Sequence, residues 1–171
     1  YKITRLANAF NKLTKYDLAL ATYEKGSKLL KDRSMFSYEL GDLYRKKGDT
    51  EKMIEQYINY LSINPDRMST VKTIFQRYLD KEGYTKLQEL LYARIQDEPE
   101  QTLYPELLSW VFIQRKDYKN ALRQVKALDR RLEENGGRVY QLAQIAAREK
   151  DYDAAIEAYT YIIDKKGKSN T

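Results

Sequence analysis

The chain has 171 residues, 42% of them hydrophobic, and its 31 basic and 25 acidic side chains leave a net charge of +6. It contains neither cysteine nor histidine, which removes disulfides, thiolate nucleophiles, the commonest metal ligands and the usual general base at neutral pH. Only carboxylates, Ser, Thr, Tyr and Lys are left for chemistry, so the composition argues against an enzyme and implies no cofactor.

Apolar residues at helical spacing predict ten helices in five hairpins, over 2–13 and 17–30, 34–47 and 51–62, 68–81 and 84–96, 103–115 and 118–132, and 138–149 and 152–164. No apolar run approaches the ~20 residues of a membrane span, and no secretory leader is present. The chain opens at Tyr1 inside a helical pattern, which suggests a fragment of a longer protein and leaves the compartment open. The breaks have chemical reasons. Gly48-Asp49 supplies a residue tolerant of positive φ and then an N-cap acceptor, and Asp117 and Asp151 stand at equivalent caps. Asn64-Pro65 and Glu98-Pro99 end second helices, because proline lacks the donor that the helix needs. Pro105 falls in a first turn, and Gly136-Gly137 separates the last two hairpins.

The hairpins repeat with a period of 34: Asp117-Tyr118-Lys119-Asn120-Ala121 is echoed by Asp151-Tyr152-Asp153-Ala154-Ala155, and Pro65 by Pro99. The units are 1–33, 34–67, 68–101, 102–135 and 136–167, with a tail at 168–171 holding the end of the basic run Lys165, Lys166 and Lys168. Leu40, Gly41, Tyr44, Gly48-Asp49, Tyr57 and Pro65 in the second unit resemble the tetratricopeptide repeat, and so do Leu142, Ala143, Tyr152, Ala155 and Tyr159 in the fifth. The resemblance implies an all-α, right-handed superhelical α-solenoid of five helix-turn-helix hairpins. Phe75 and Leu87 replace small residues in the third unit, and a wider helix spacing or altered curvature is expected there. Of 16 tyrosines, ten fall on packing positions, among them Tyr23, Tyr57, Tyr78, Tyr118, Tyr152 and Tyr159, so core filling accounts for most of them.

The same resemblance places a ligand groove along the first helix of every unit. Carried over residue by residue, its lining includes Asn8, Asn11 and Lys12; Tyr38, Glu39, Asp42, Arg45 and Lys46; Lys72 and Gln76; and Leu103, Leu107, Trp110 and Ile113. Leu103, Leu107 and Trp110 follow i, i+4, i+7 spacing, either as an apolar anchor for a partner or as packing against a neighbouring helix. Arg5, Lys12, Arg45, Lys46 and Lys72 suit an acidic peptide, or are solvated surface charges. Glu39 stands where a two-carboxylate clamp needs a polar or basic residue, which argues against the C-terminal tails of heat-shock chaperones.

These features point to a non-catalytic scaffold that binds a peptide or protein. The alternatives are single-stranded RNA binding, against which the lack of a repeated polar pair speaks, and assembly through uncapped ends, since no solvating helix follows Ile162-Ile163.

Overall fold

The computed structural model describes residues 2–169, and these are all-α, without a strand. The helices are α1 (Lys2–Lys12), α2 (Tyr16–Leu30), α3 (Ser37–Lys47), α4 (Thr50–Ile63), α5 (Met68–Tyr78), α6 (Lys81–Asp97), α7 (Leu103–Gln114), α8 (Tyr118–Arg131), α9 (Gly137–Arg148) and α10 (Tyr152–Ser169), with a 3-10 turn at Pro65–Arg67. Helix α10 runs on into the segment expected as a tail, and residues 170 and 171 lie outside the described residues. No helix among them is long and apolar enough to cross a membrane.

The predicted caps form. The carboxylates of Asp49, Asp117 and Asp151 accept from the backbone N–H groups of Lys52, Asn120 and Ala154 at 3.1, 3.2 and 3.1 Å, satisfying donors that the first helical turn leaves open. The turn before each cap repeats in backbone angle and not in residue type. Thr14, Gly48, Lys116 and Lys150 stand at one register position, and all four are left-handed, with φ of 57°, 78°, 57° and 66°. A second such position closes the second helices. Lys31 and Glu133 are left-handed there, and the intervening units carry Pro65 and Pro99, whose ring forbids positive φ and ends the helix by another route.

The third unit departs from this register. Helix α5 stops at Tyr78, Leu79 is extended, and the Asp80 carboxylate caps α6 by accepting from Gly83 N–H at 2.8 Å, so α6 begins three residues ahead of its expected start at 84.

The chain forms two compact units, Tyr1–Leu87 and Gln88–Thr171, divided within α6. In the first, Ala7, Ala19, Leu20, Tyr23, Phe36, Leu40 and Leu43 form one cluster. Met53, Ile54, Tyr57, Ile58 and Leu61 continue the buried face of α4, and Phe75 is fully buried with its ring 6.2 Å from that of Tyr57, edge to face. Gly41 permits close approach of α3 to α4, since a Cβ there would sit 2.9 Å from the Tyr57 ring. In the second unit the core is built from Tyr104, Leu107, Leu108 and Val111 of α7 with Leu122 and Leu128 of α8 and Val139 and Leu142 of α9. Each such side chain contributes about 2 kcal/mol on burial.

Tyr23 and Tyr57 are core residues, as expected, whereas Tyr78, Tyr152 and Tyr159 are 43%, 60% and 36% exposed. Among the described residues no further helix covers the α10 positions that correspond to buried ones on α2, α4 and α8.

Candidate functional site

The first helices of the first unit are tied together by one polar chain. The Lys46 ammonium on α3 donates to Asn11 Oδ1 on α1 at 3.1 Å and pairs with Asp42 Oδ2 at 2.8 Å. The other oxygen of Asp42 accepts from Arg45 Nη2 at 2.7 Å and Nε at 3.1 Å, and the Arg45 guanidinium lies 4.4 Å over the ring of Tyr78 on α5. Helical spacing makes this possible, because residues three and four apart share a face and bring both cations onto one carboxylate. Arginine adds a flat group that stacks on an aromatic ring.

The electrostatics follow. Burial pushes the Asp42 carboxyl up, but the hydrogen bonds from Lys46 and Arg45 outweigh it and hold the group below its ordinary value. On α3 the charges of Arg45 and Lys46 are balanced by Asp42 and half-buried Glu39, so the net positive charge of the face comes from exposed Lys12 on α1, one residue from Asn11, and half-buried Lys72 on α5. Asn8 is exposed and its Oδ1 accepts from the Tyr23 hydroxyl at 3.3 Å, which fixes the direction of that amide. Burial, with the Glu39 carboxylate adding to it, pushes the Tyr23 phenol up to about 12. Lys72 is half-buried and Gln76 exposed on α5. Tyr38 is 41% exposed and stacks at an angle on Tyr60, ring centroids 5.1 Å apart.

In the second unit the apolar row divides. Leu103 and Leu107, expected on the groove face, are only 8% and 1% exposed and belong to the core, so they present no surface to a ligand. Trp110 and Ile113 are half-buried. The reason is the broad apolar face of α7, in which Leu103, Tyr104, Leu107, Leu108, Val111 and Phe112 are buried over about half of the helix circumference, with Trp110 and Ile113 on the other side. The supposed anchor therefore reduces to the exposed parts of Trp110 and Ile113.

Sequence reasoning did not find the partnership of Arg45 with Tyr78, because Tyr78 occupies a packing position of the repeat. Its signal was there in retrospect: the short α5 ends at Tyr78 and turns that ring out beside α3. Among the described residues no cluster of three or more carboxylates is arranged to hold a metal ion.

A family model described as "YpiA-like, C-terminal tetratricopeptide repeats" matches residues 4–67, and one described as "Tetratricopeptide repeat" matches residues 139–160. A solved structure titled "MamA RS-1 ArsTM double mutant" aligns over 99% of this chain and 95% of its own, with 16% identity and a TM-score of 0.44. No curated protein matches the sequence.

Proposed function

The chain belongs to the tetratricopeptide repeat family, typically non-enzymatic scaffolds for protein interaction, and we propose that it holds an extended acidic peptide along α1, α3 and α5 of its first unit. The observation that carries this reading is the sharing of Asp42 between Arg45 and Lys46, which lines the face with cations held in place before any ligand arrives. A peptide carboxylate arriving there meets Lys46 already oriented by Asn11, with Lys12 within the same helix turn, so little side-chain freedom is lost on binding. Exposed Asn8 supplies an amide for the peptide backbone. Aromatic edges at Tyr38 and Tyr78 border the cations and suit an apolar residue between two acidic ones.

The test is fluorescence anisotropy with a labelled Asp- and Glu-rich peptide of about a dozen residues, compared with the same sequence in Asn and Gln. Binding of the acidic peptide alone, weakened about tenfold by Lys46→Glu, supports the assignment. Equal affinity for the two peptides overturns it. A single-stranded RNA that competes at lower concentration than the acidic peptide transfers the face to nucleic acid.

A further inference from the structure

Tyr38 and Tyr60 meet at the N-terminal end of α3, with ring centroids 5.1 Å apart and planes tilted by 58°. The buried Tyr57 ring stands edge-on to Tyr38 at 5.7 Å, so the Tyr38 ring is held from two sides. With Met35 and Ile63 the outer two rings border a cavity of about 370 Å³ that Asp32 and Glu39 also line. Its walls are the α2–α3 loop, the start of α3 and the end of α4, with α1 before them and α5 after them in the first unit.

The two acidic residues are held differently. Asp32 is fixed by its own loop: Oδ1 accepts from the Ser34 hydroxyl at 2.6 Å and the Ser34 backbone N–H at 2.9 Å, and these bonds keep the carboxyl below its ordinary value. Glu39 is half-buried, and among the described residues no lysine or arginine pairs with it, since the three cations of α3 are taken up by Asp42 and Asp17. The basic residues nearest in sequence bring no charge to the cavity either. Lys31 and Arg33 are exposed and, among the described residues, are not part of its lining, and Arg67 turns to Asp66 at 3.4 Å. A carboxylate half withdrawn from water is stabilised by a cation brought to it.

The repeat does not require these residues. At the places of Tyr38, Glu39 and Tyr60, the preceding unit has Thr4, Arg5 and Gly26 and the following one Lys72, Thr73 and Arg94. The combination is particular to the second hairpin. A similar pairing of tyrosine with carboxylate at the other end of α3 holds an arginine: the Arg45 guanidinium lies 4.4 Å over the Tyr78 ring while Nε and Nη2 donate to Asp42. A guanidinium lays its face on a ring and turns its N–H edge to a carboxylate at the same time, whereas an ammonium has no flat face to offer.

We propose that this cavity receives an arginine side chain of a protein partner, its guanidinium against Tyr38 and Tyr60 and its N–H groups toward Glu39. The methylenes of the incoming side chain run along Met35 and Ile63, and Asp32 adds a second negative charge at the rim. Glu39 stands two helical turns from Lys46, about 10 Å along α3. The cavity is therefore separate from the cations assigned to an acidic peptide, and either reading stands without the other.

NMR titration of the 171-residue chain with N-acetyl-arginine amide, its lysine counterpart and its uncharged citrulline counterpart tests the assignment. The arginine compound is expected to shift the backbone amides of residues 32–39 and 60–64 with a millimolar Kd, at least about threefold tighter than the lysine compound. Citrulline is expected to give no saturable response. Glu39→Gln and Tyr60→Leu, each shown to be folded by its own amide spectrum, are expected to weaken arginine binding at least about fivefold. A response to arginine no stronger than to citrulline overturns the proposal, as does arginine binding that Glu39→Gln leaves unchanged. Lysine binding as tightly as arginine overturns the choice of a guanidinium. Free L-arginine binding more than about tenfold tighter than the blocked compound gives the cavity to a small molecule and also overturns it.

Discussion

The Tyr161 hydroxyl on α10 donates to Asp129 Oδ2 on α8 at 2.7 Å, and the carboxylate that receives it is fully buried. Lys165 donates to the same Oδ2 and also to the carbonyl of Glu134, while Oδ1 accepts from Gly136 N–H at 2.7 Å. One side chain thus ties together two helices and the turn that precedes α9. Asp129→Ala leaves the Gly136 donor and the Lys165 ammonium without their acceptor and is expected to cost about 3 kcal/mol in urea unfolding. Tyr161→Phe removes only one bond, and about 1 kcal/mol is expected. Equal losses would show that the carboxylate is not the centre of the network.

The pH dependence follows from the same groups. Burial raises the Asp129 carboxyl, but hydrogen bonds from Lys165, Tyr161 and Gly136 outweigh it and leave the group lowered, and Asp42 is lowered in the same way by Lys46 and Arg45. A lowered folded-state value means that this stabilisation is complete above the unfolded value of about 4 and is lost as pH falls through the folded one. On the alkaline side, burial and the Asp129 contact push the Tyr161 phenol up to about 12, so its contribution is complete below the unfolded value of about 10 and disappears as pH rises towards 12. Stability measured by urea titration is expected to be flat between about pH 5 and 9 and to fall on both sides, with the acid slope reduced in Asp129→Asn.

The left-handed turns predict stabilising substitutions. Lys150, at φ 66°, has a side chain that disfavours this conformation, and its exposed position leaves room for change. Lys150→Gly is expected to raise stability by about 0.5–1 kcal/mol, and Gly48→Ala at the equivalent position, φ 78°, to lower it by about 1 kcal/mol. Thermal melts of the two variants should move in opposite directions.

Leu107 separates core from ligand surface. It is 1% exposed, so Leu107→Ala should cost about 3 kcal/mol of stability through the cavity it leaves. A variant that keeps its stability and loses a partner would return Leu107 to the groove.

Close packing through Gly41 can be probed in the same way. A methyl group there would crowd the Tyr57 ring at 2.9 Å, and overpacking is expected to outweigh the better helix propensity of alanine, lowering stability by about 1 kcal/mol.

Helix positions and caps were legible because they depend on local chemistry. The Asp49, Asp117 and Asp151 caps formed at the residues expected, and eight of the ten helices begin within one residue of their periodic starts, while α3 starts three residues late and α6 three early. The largest surprises come where two signals compete. In the third unit, Asp80 offered a cap before the repeat position did, and α6 took the earlier start. On α7, the apolar spacing that suggested a ligand face was equally a core pattern, and only the packing of neighbouring helices shows that Leu103 and Leu107 are enclosed.

By itself the sequence determined the helical hairpins, their period and the family, because apolar spacing, caps and helix breakers act over a few residues. The tertiary structure decided which faces are spent. It placed Arg45 over Tyr78, shared Asp42 between two cations and enclosed Leu107. Whether a side chain is covered depends on what another helix brings to it, and no single segment carries that information.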